Sequence, residues 1–346
     1  MSETSSSEAW AMQIARSGDY SVFEKVSMPR KAPGPGEVAI DVKACGVNFA
    51  DVLMRMGLYP EAPKAPFVPG YEVAGTVAAV GEGVTAHKPG DRVMAATYFG
   101  GYASYAVAAE DKVLPLPEHL SFEEGASLLV NFMTAWVALH EMARVRKGDH
   151  VLIHGIAGGV GLSALQIAKN AGCVVYGTAG SAEKLDYAKA RGMDYGINHR
   201  KSDFVTDIRL NVGRRPLDVI LDPIGGDNLA KGRKLLKPTG KIIVFGMAKA
   251  VDGARPNKIK SLLVGLKMFH INLLSLFAQN HGVFGLNVLR LWPFDIMRSV
   301  GEAILQAFEA REFETVVDKT FPLEQAGEAH RYLRERKNTG KVVLTV

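Results

Sequence analysis

The chain has 346 residues, and its 41 lysines and arginines against 36 aspartates and glutamates give a formal net charge of +5. The basic residues are spread along the chain, which argues against a nucleic-acid-binding surface. Two cysteines, Cys45 and Cys173, are too few for a disulfide-rich scaffold or a four-thiolate zinc site. The length is typical of about two domains, each large enough to bury a core.

The first part of the chain is rich in predicted strands. Residues 1–8 are Ser-rich and acidic, so we expect a disordered tail without the apolar region of a signal peptide, and hence a cytoplasmic protein. Short β-type runs separated by glycine and proline then predict a compact, barrel-like β domain. The predicted strands include residues 37–43, 73–80, 91–95 and 102–107.

From about Asn131 the pattern changes to alternating strands and helices. Uniformly apolar strands between amphipathic helices are typical of a parallel sheet covered on both faces. The predicted strands are 150–154, 174–178, 195–197, 219–221, 241–245 and 283–287, with helices such as 161–171 and 182–191 between them. After a helix over 294–310, the C-terminal strands are expected to rejoin the first domain. We therefore predict one domain from residues 1–131 and 290–346, and a second from 132–289.

The segment from Gly148 to Lys169 contains a glycine-rich turn between a predicted strand and a predicted helix. Glycines let a phosphate approach the backbone, and the free N–H groups of the helix N-terminus favour an anion. The turn comprises Ala157, Gly158, Gly159, Val160 and Gly161, and it predicts a dinucleotide site. A turn without a ligand is the alternative. Ile156 occupies the first glycine position of the usual fingerprint, so we expect a slightly different turn.

The end of the next strand indicates which dinucleotide binds. NAD-binding enzymes usually carry an acidic residue there, whereas this chain has Thr178, Gly180 and Ser181. Cations follow at Lys184, His199 and Arg200, and they would favour a 2′-phosphate. These residues predict NADP(H), and the alternative is that Lys184 is a solvated helix residue.

The apolar stretch 261–294 is interrupted by Lys267, His270 and further polar residues, which argues against a membrane span. We expect a pocket wall or a subunit contact. Strand 283–287 should be an edge strand of the parallel sheet, and an unpaired apolar edge favours a homodimer formed through it.

The motifs of the whole chain resemble those of the zinc-free quinone oxidoreductase (zeta-crystallin-like) branch of the medium-chain dehydrogenases/reductases. The likeness is carried by residues 46–51 (Gly-Val-Asn-Phe-Ala-Asp), 57–60 (Gly-Leu-Tyr-Pro), 68–72 (Val-Pro-Gly-Tyr-Glu) and 88–93 (Lys-Pro-Gly-Asp-Arg-Val). Residues 131–135, 226–228 and 271–290 are similar to VAT-1-like members of that branch.

The resemblance implies an α/β protein with a GroES-like β-rich catalytic domain and a Rossmann doubly wound parallel-sheet domain. Zinc-dependent relatives place cysteine at the position of Asn48 and histidine at the position of Tyr71. Because neither residue present is a zinc ligand of the required type, we expect no metal.

Two residues are the predicted catalytic groups. The resemblance puts Tyr59 beside the nicotinamide, where a phenol could donate a hydrogen bond or a proton to a developing oxyanion. Asn48 is expected to bind a carbonyl or the nicotinamide ribose. Packing for Tyr59 and loop capping for Asn48 are the alternatives, and Asp51 is expected to orient the loop.

By analogy with the family, Asn131 and Thr134 lie near the nicotinamide. Further cofactor contacts are expected from Phe245 and Gly246 after a strand, from the backbone of Val283, Phe284 and Gly285, and, toward the 2′-phosphate, from Asn338 in the first domain.

Together these features predict an NADPH-dependent, zinc-independent oxidoreductase of the NADPH:quinone oxidoreductase type. Without a Lewis acid, hydride transfer needs an acceptor that is already electrophilic, such as a quinone or an α,β-unsaturated carbonyl. One alternative is an enoyl-thioester or alkenal reductase. Another is a VAT-1-like lipid-binding protein with weak catalysis and a membrane-surface association. Fold resemblance alone does not separate them.

Overall fold

The computed structural model describes residues 8–251, 253–254, 258–269 and 272–346. These residues form two compact units. The first takes the described residues of Met1–Val130, Ala254–Pro256 and Phe294–Val346, and the second takes those of Asn131–Gly253 and Asn257–Pro293. Most of the predicted N-terminal tail lies outside the described residues, and Glu8 already begins the first strand.

Within the described residues, the strands are β1 (Glu8–Ile14), β2 (Phe23–Pro29), β3 (Glu37–Val47), β4 (Glu72–Val80), β5 (Arg92–Ala96), β6 (Tyr105–Ala109), β7 (Val113–Pro115), β8 (His150–His154), β9 (Val174–Ala179), β10 (Tyr195–Asn198), β11 (Leu217–Asp222), β12 (Leu236–Val244), β13 (Gly282–Gly285), β14 (Val317–Pro322) and β15 (Lys341–Thr345). The helices are α1 (Phe49–Arg55), α2 (Phe122–Gly125), α3 (Leu129–Trp136), α4 (Gly159–Asn170), α5 (Ala182–Lys189), α6 (Phe204–Asn211), α7 (Asp227–Arg233), α8 (Lys258–Phe269), α9 (Leu273–Gln279), α10 (Ile296–Glu309) and α11 (Ala326–Arg334).

The first unit is built on a mainly antiparallel sheet in the order β14-β15-β3-β4-β5-β7, with β6 also pairing with β3. Strand β3 pairs with β15 so that Val47 lies opposite Val342, and it pairs with β4 so that Cys45 lies opposite Val73. This register brings the end of β3 next to the first residues of β4 and β15. The polar residues at those three strand ends therefore meet.

The second unit contains a six-stranded parallel sheet in the order β10-β9-β8-β11-β12-β13. Its central strands are uniformly apolar, and residues such as Leu152, Ile220 and Ile242 are fully buried between the covering helices. This order reverses at β8 and β11, as in a dinucleotide-binding fold. The predicted fold class is confirmed.

The structure differs from the sequence-based elements in several places. The hairpin β1–β2 and helix α1 were not predicted. The helix that begins at Leu129 continues as a π-helix over Val137–Ala143. The predicted strand 283–287 is shorter, Gly282–Gly285, and it does lie at the sheet edge.

The apolar stretch 261–294 contributes α8 and α9, whose side chains Leu262, Leu273, Leu274 and Phe277 are exposed. No single helix in the described part of the chain is long and apolar enough to span a membrane, although the bent pair Ser261–Met268 and Leu273–Gln279 together has the required length and composition.

Candidate functional site

The glycine-rich turn connects β8 to α4 in the second unit. Gly158 is the N-cap of α4 and donates its N–H to the carbonyl oxygen of Gly155 at 2.9 Å. A Cβ on Gly161 would lie 2.4 Å from that same oxygen, so the helix approaches the turn more closely than any side chain permits. Gly155 has a φ of +68°, a conformation that favours glycine, and Ile156 is buried. The N-terminus of α4 thus offers free N–H groups to an anion.

Asn131 lies directly beside this turn. A Cβ on Gly159 would be 2.4 Å from Asn131 Nδ2, so the amide packs against the first turn of α4. Thr134 is buried one helical turn further along α3. In the turn itself, Ala157 is buried and Val160 is half-buried.

Two basic side chains, Arg200 and His199, approach Gly180 at the end of β9. A Cβ on Gly180 would lie 3.2 Å from Arg200 Nε and 3.4 Å from His199 Nε2, both on exposed residues. Ser181 caps α5 by accepting the N–H of Lys184 at 3.5 Å. The space beside Gly180 is therefore small, positively charged and adjacent to a helix N-terminus. A phosphate monoester would find all three properties favourable.

The other predicted cofactor residues lie at the carboxyl ends of the parallel strands. Thr178 is buried, and its Oγ1 lies 3.1 Å from His154 Nδ1, so it supports the turn from inside. Phe245 and Gly246 follow β12, and the N–H of Phe245 donates to the carbonyl oxygen of Asp222 at 3.1 Å. Val283, Phe284 and Gly285 form the edge strand β13, where Phe284 and Gly285 are exposed.

In the first unit, Asn48 belongs to a buried ion-pair cluster that the sequence did not predict. Its Oδ1 accepts from Lys341 Nζ at 2.7 Å, and its Nδ2 donates to Glu72 Oε1 at 3.1 Å. Lys341 also forms an ion pair with Glu72, whose Oε2 accepts the N–H of Val130 at 2.9 Å. Glu72 and Lys341 are buried, with side chains 0% and 3% exposed. The ion pair fixes the orientation of the Asn48 amide.

Glu72 and Lys341 gave one weak signal in the sequence. Each is a charged residue that directly precedes an apolar run. A charged side chain at such a strand end is usually solvated. Their pairing spans 269 positions and depends on the sheet register. The single chain therefore could not indicate it.

Tyr59 is half-buried after α1, and its side chain is hydrogen-bonded to that of Tyr71. Tyr71 is buried, and its hydroxyl also lies 3.6 Å from Met54 Sδ. Burial, the charge of Asp51 and the contact with Tyr59 raise the pKa of Tyr71 above its usual value. Tyr71 is therefore a neutral hydroxyl that can hold the phenol of Tyr59.

Asn338 lies before β15 in the first unit, where its Nδ2 donates to the carbonyl oxygen of Gly340 at 2.7 Å. Its contact with a 2′-phosphate stays a prediction. No cluster of three or more His, Cys, Asp or Glu side chains arranged to hold a metal ion occurs among the residues that the structure describes. At the two positions where a zinc site would need ligands, an amide is hydrogen-bonded to Lys341 and a neutral phenol is buried, so this donor set does not fit zinc.

Two family models match the chain. One, described as an alcohol dehydrogenase GroES-like domain, covers residues 34–118. The other, described as a zinc-binding dehydrogenase, covers residues 191–344.

The chain is also similar to individual proteins over nearly its full length. It is 37% identical to the rat (Rattus norvegicus) synaptic vesicle membrane protein VAT-1 homolog over 94% of this chain and 81% of that protein. It is 35% identical to rat quinone oxidoreductase over 90% of each. The crystal structure of Escherichia coli quinone oxidoreductase complexed with NADPH superposes with a TM-score of 0.85 at 28% identity, over 97% of this chain and 100% of that one.

Proposed function

The chain belongs to the medium-chain dehydrogenase/reductase superfamily, in the group of the VAT-1 homologues and quinone oxidoreductases, and from this premise we propose a specific activity. The protein is an oxidoreductase that transfers a hydride from NADPH to a quinone or an α,β-unsaturated carbonyl. The observation that carries this proposal is the glycine turn at α4 together with the cations around Gly180.

NADP(H) is the cofactor, and the residues of the second unit fit it. The N-terminus of α4 would take the pyrophosphate, with Asn131 packed beside it. Arg200 and His199, which lie beside Gly180, would take the 2′-phosphate. The bound cofactor supplies the hydride. A relative of known structure carries NADPH on the same fold.

Arg200→Ala should raise the Kd for NADPH by about 10- to 100-fold, because a charge-assisted hydrogen bond to phosphate contributes about 1.5–3 kcal/mol. The Kd for NADH, which lacks the 2′-phosphate, should change less than about threefold. Fluorescence titration with both cofactors measures the two values. The matched control is Arg209→Ala, since the Arg209 guanidinium binds only the carbonyl oxygen of Lys234 within the described residues. Equal losses for NADPH and NADH would refute the assignment of Arg200.

The residues of the first unit would act on the acceptor. Asn48, held by Lys341 and Glu72, presents a fixed amide, and Tyr59 presents a hydroxyl supported by Tyr71. Because the donor set does not fit a metal, the acceptor must be electrophilic in itself. The proton that completes enone reduction would come from Tyr59. A hydroquinone anion, in contrast, can be protonated by water.

Tyr59→Phe separates the quinone proposal from the alkenal or enoyl-thioester alternative. It should lower kcat/KM for 2-enals by about 100-fold, the usual contribution of a general acid, and for 1,4-quinones by less than about tenfold. The assay follows NADPH absorbance. Tyr332→Phe is the control, because the Tyr332 hydroxyl binds the exposed Asp318 at 2.8 Å. Equal residual activity on both acceptor classes would contradict a proton-donating Tyr59.

We further propose a homodimer formed through β13. This strand is the edge of the parallel sheet, and the neighbouring α9 exposes Leu273, Leu274 and Phe277. An apolar edge of this kind is usually covered by a partner. Light scattering should give twice the chain mass. A monomer that floats with anionic liposomes would instead favour the lipid-binding alternative. The cytoplasmic location of the protein stays a prediction.

A further inference from the structure

A tyrosine occupies a strained backbone position in the loop after β5. Tyr98 has a φ of +60°, in the left-handed region that bulky residues rarely adopt. The N–H of Phe99 donates to the carbonyl oxygen of Thr97 at 2.6 Å, which closes a three-residue γ-turn around Tyr98. With a positive φ at its central residue, such a turn is of the rare and strained type. Glycine adopts this conformation without strain, so the turn itself does not require a tyrosine.

Backbone hydrogen bonds on both sides hold this turn in place. The N–H of Thr97 donates to the carbonyl oxygen of Tyr71 at 2.9 Å, and the N–H of Gly100 donates to the carbonyl oxygen of Val68 at 3.0 Å. The backbone of Tyr98 therefore cannot relax without breaking these bonds. Strain that the surrounding structure enforces in this way is typical of functional sites.

Burial does not explain why Tyr98 is aromatic. The residue is 43% exposed, and its ring lies 5.1 Å from the ring of Phe99 at an interplanar angle of 86°. An exposed aromatic ring can stack in parallel with another flat ring, and such a pair adds energy beyond the burial of apolar area. The exposed ring of Tyr98 is thus suited to contact with a flat ligand.

A row of aromatic rings joins Tyr98 to the proposed proton donor. Phe99 is half-buried, and its ring lies 5.7 Å from the ring of Tyr71. The ring of Phe67 supports Phe99 at 6.5 Å. Tyr71 is in turn hydrogen-bonded to Tyr59. The row therefore runs from the hydroxyl that would bind the acceptor oxygen to an exposed ring, and all of its members belong to the first unit.

We propose that Tyr98 is a specificity-determining residue whose ring stacks on the acceptor, so that the protein prefers acceptors in which an aromatic ring is conjugated to the reacting carbonyl or alkene. The acceptor oxygen lies at Tyr59, and the flat ring of the acceptor lies along the aromatic row. Such a ring gains stacking energy on Tyr98, whereas a saturated ring of the same size gains only the energy of burial. This inference rests on the proposed function, because it takes Tyr59 as the group that binds the acceptor oxygen.

Matched acceptors measure this preference. One pair is trans-cinnamaldehyde and 3-cyclohexylprop-2-enal, and the other is 1,4-naphthoquinone and 5,6,7,8-tetrahydro-1,4-naphthoquinone. In Tyr98→Leu, the ratio of kcat/KM for the aromatic to the saturated member should fall by about 3- to 10-fold, the contribution of one aromatic pair. Tyr98→Phe retains the ring and should restore the wild-type ratio. A wild-type ratio in Tyr98→Leu would overturn the proposal.

Tyr98→Gly tests whether the strain serves the ring. Glycine removes both the ring and the strain, so the ratio should fall as in Tyr98→Leu while Tm stays at or above that of the wild type. The matched control is Arg311→Gly, because Arg311 is exposed after α10 and has a φ of +56°. This control should change Tm in the same direction and retain the wild-type ratio. A Tm of Tyr98→Gly well below the wild-type value would show that the tyrosine serves packing and would overturn the proposal.

Ligands that are not reduced separate this inference from the proposed function. 2-Naphthol and trans-2-decalol each have one hydroxyl and two fused rings, which are aromatic in the first and carry no double bonds in the second. NMR titration gives both Kd values, and the preference for 2-naphthol should fall by about 3- to 10-fold from the wild type to Tyr98→Leu. Failure to reduce any acceptor would refute the proposed function but leave this binding result decisive. Equal changes in both Kd values, or no binding of either alcohol, would overturn the role of Tyr98.

Discussion

Gly158→Ala should bind NADPH about 10- to 100-fold more weakly than the wild type while keeping its stability. Gly158 is the N-cap of α4 with a φ of −82°, a conformation that any residue adopts. The nearest protein atom to a Cβ at this position is Gly155 O at 3.4 Å, an ordinary contact. The methyl group therefore fits the protein but occupies the space in which a pyrophosphate would approach the helix N-terminus. Losing one or two charge-assisted hydrogen bonds gives the stated range.

Alanine substitutions of two further glycines are the controls for Gly158→Ala. In Gly161→Ala the Cβ would meet backbone oxygens of Gly155 and Ile156 at 2.4 and 2.6 Å, so stability and binding should both fall. In Gly265→Ala, within α8, the Cβ meets nothing within 4 Å, and neither property should fall. Fluorescence titration gives the Kd, and thermal unfolding gives Tm. Wild-type affinity in Gly158→Ala would remove the main support for the dinucleotide site.

Lys341→Met should lower the free energy of unfolding by about 3–5 kcal/mol, the usual cost of leaving a buried charge without its partner. Glu72 and Lys341 are almost completely buried, and the change strands the Glu72 carboxylate while also releasing Asn48 Oδ1. The double variant Glu72→Gln/Lys341→Met should recover much of that loss, because no uncompensated charge remains. Denaturant unfolding of the wild type, Lys341→Met, Glu72→Gln and the double variant measures the coupling energy between Glu72 and Lys341.

Lys237→Met is the matched control for the ion pair. Lys237 binds Asp218 at 2.7 Å, but the two side chains are 38% and 26% exposed. Solvent screens such a pair, so the loss should stay within about 1 kcal/mol. If Lys341→Met were as mild as Lys237→Met, the cluster would not fix Asn48 in the way inferred above.

The sequence by itself determined the fold class and the glycine turn between β8 and α4, where it predicted a cofactor site. Both depend on local patterns: uniformly apolar strands at regular spacing, and glycines between a strand and a helix. It also indicated the cations after β9, because Lys184, His199 and Arg200 follow a strand end that lacks an acidic residue. Such features are visible within about 20 residues of chain and do not require the register of distant strands.

The hydrogen-bond and ion-pair partners around Asn48 were determined only by the tertiary structure. Glu72 and Lys341 meet Asn48 because β3 pairs with both β4 and β15, and this register joins positions 269 residues apart. Burial raises the pKa of Asp51 to about 7, and this burial results from packing that the neighbouring residues in the sequence do not specify. Local sequence thus predicted a dinucleotide site at the glycine turn, whereas the pairing of distant strands determined which polar groups are buried and which partners they bind.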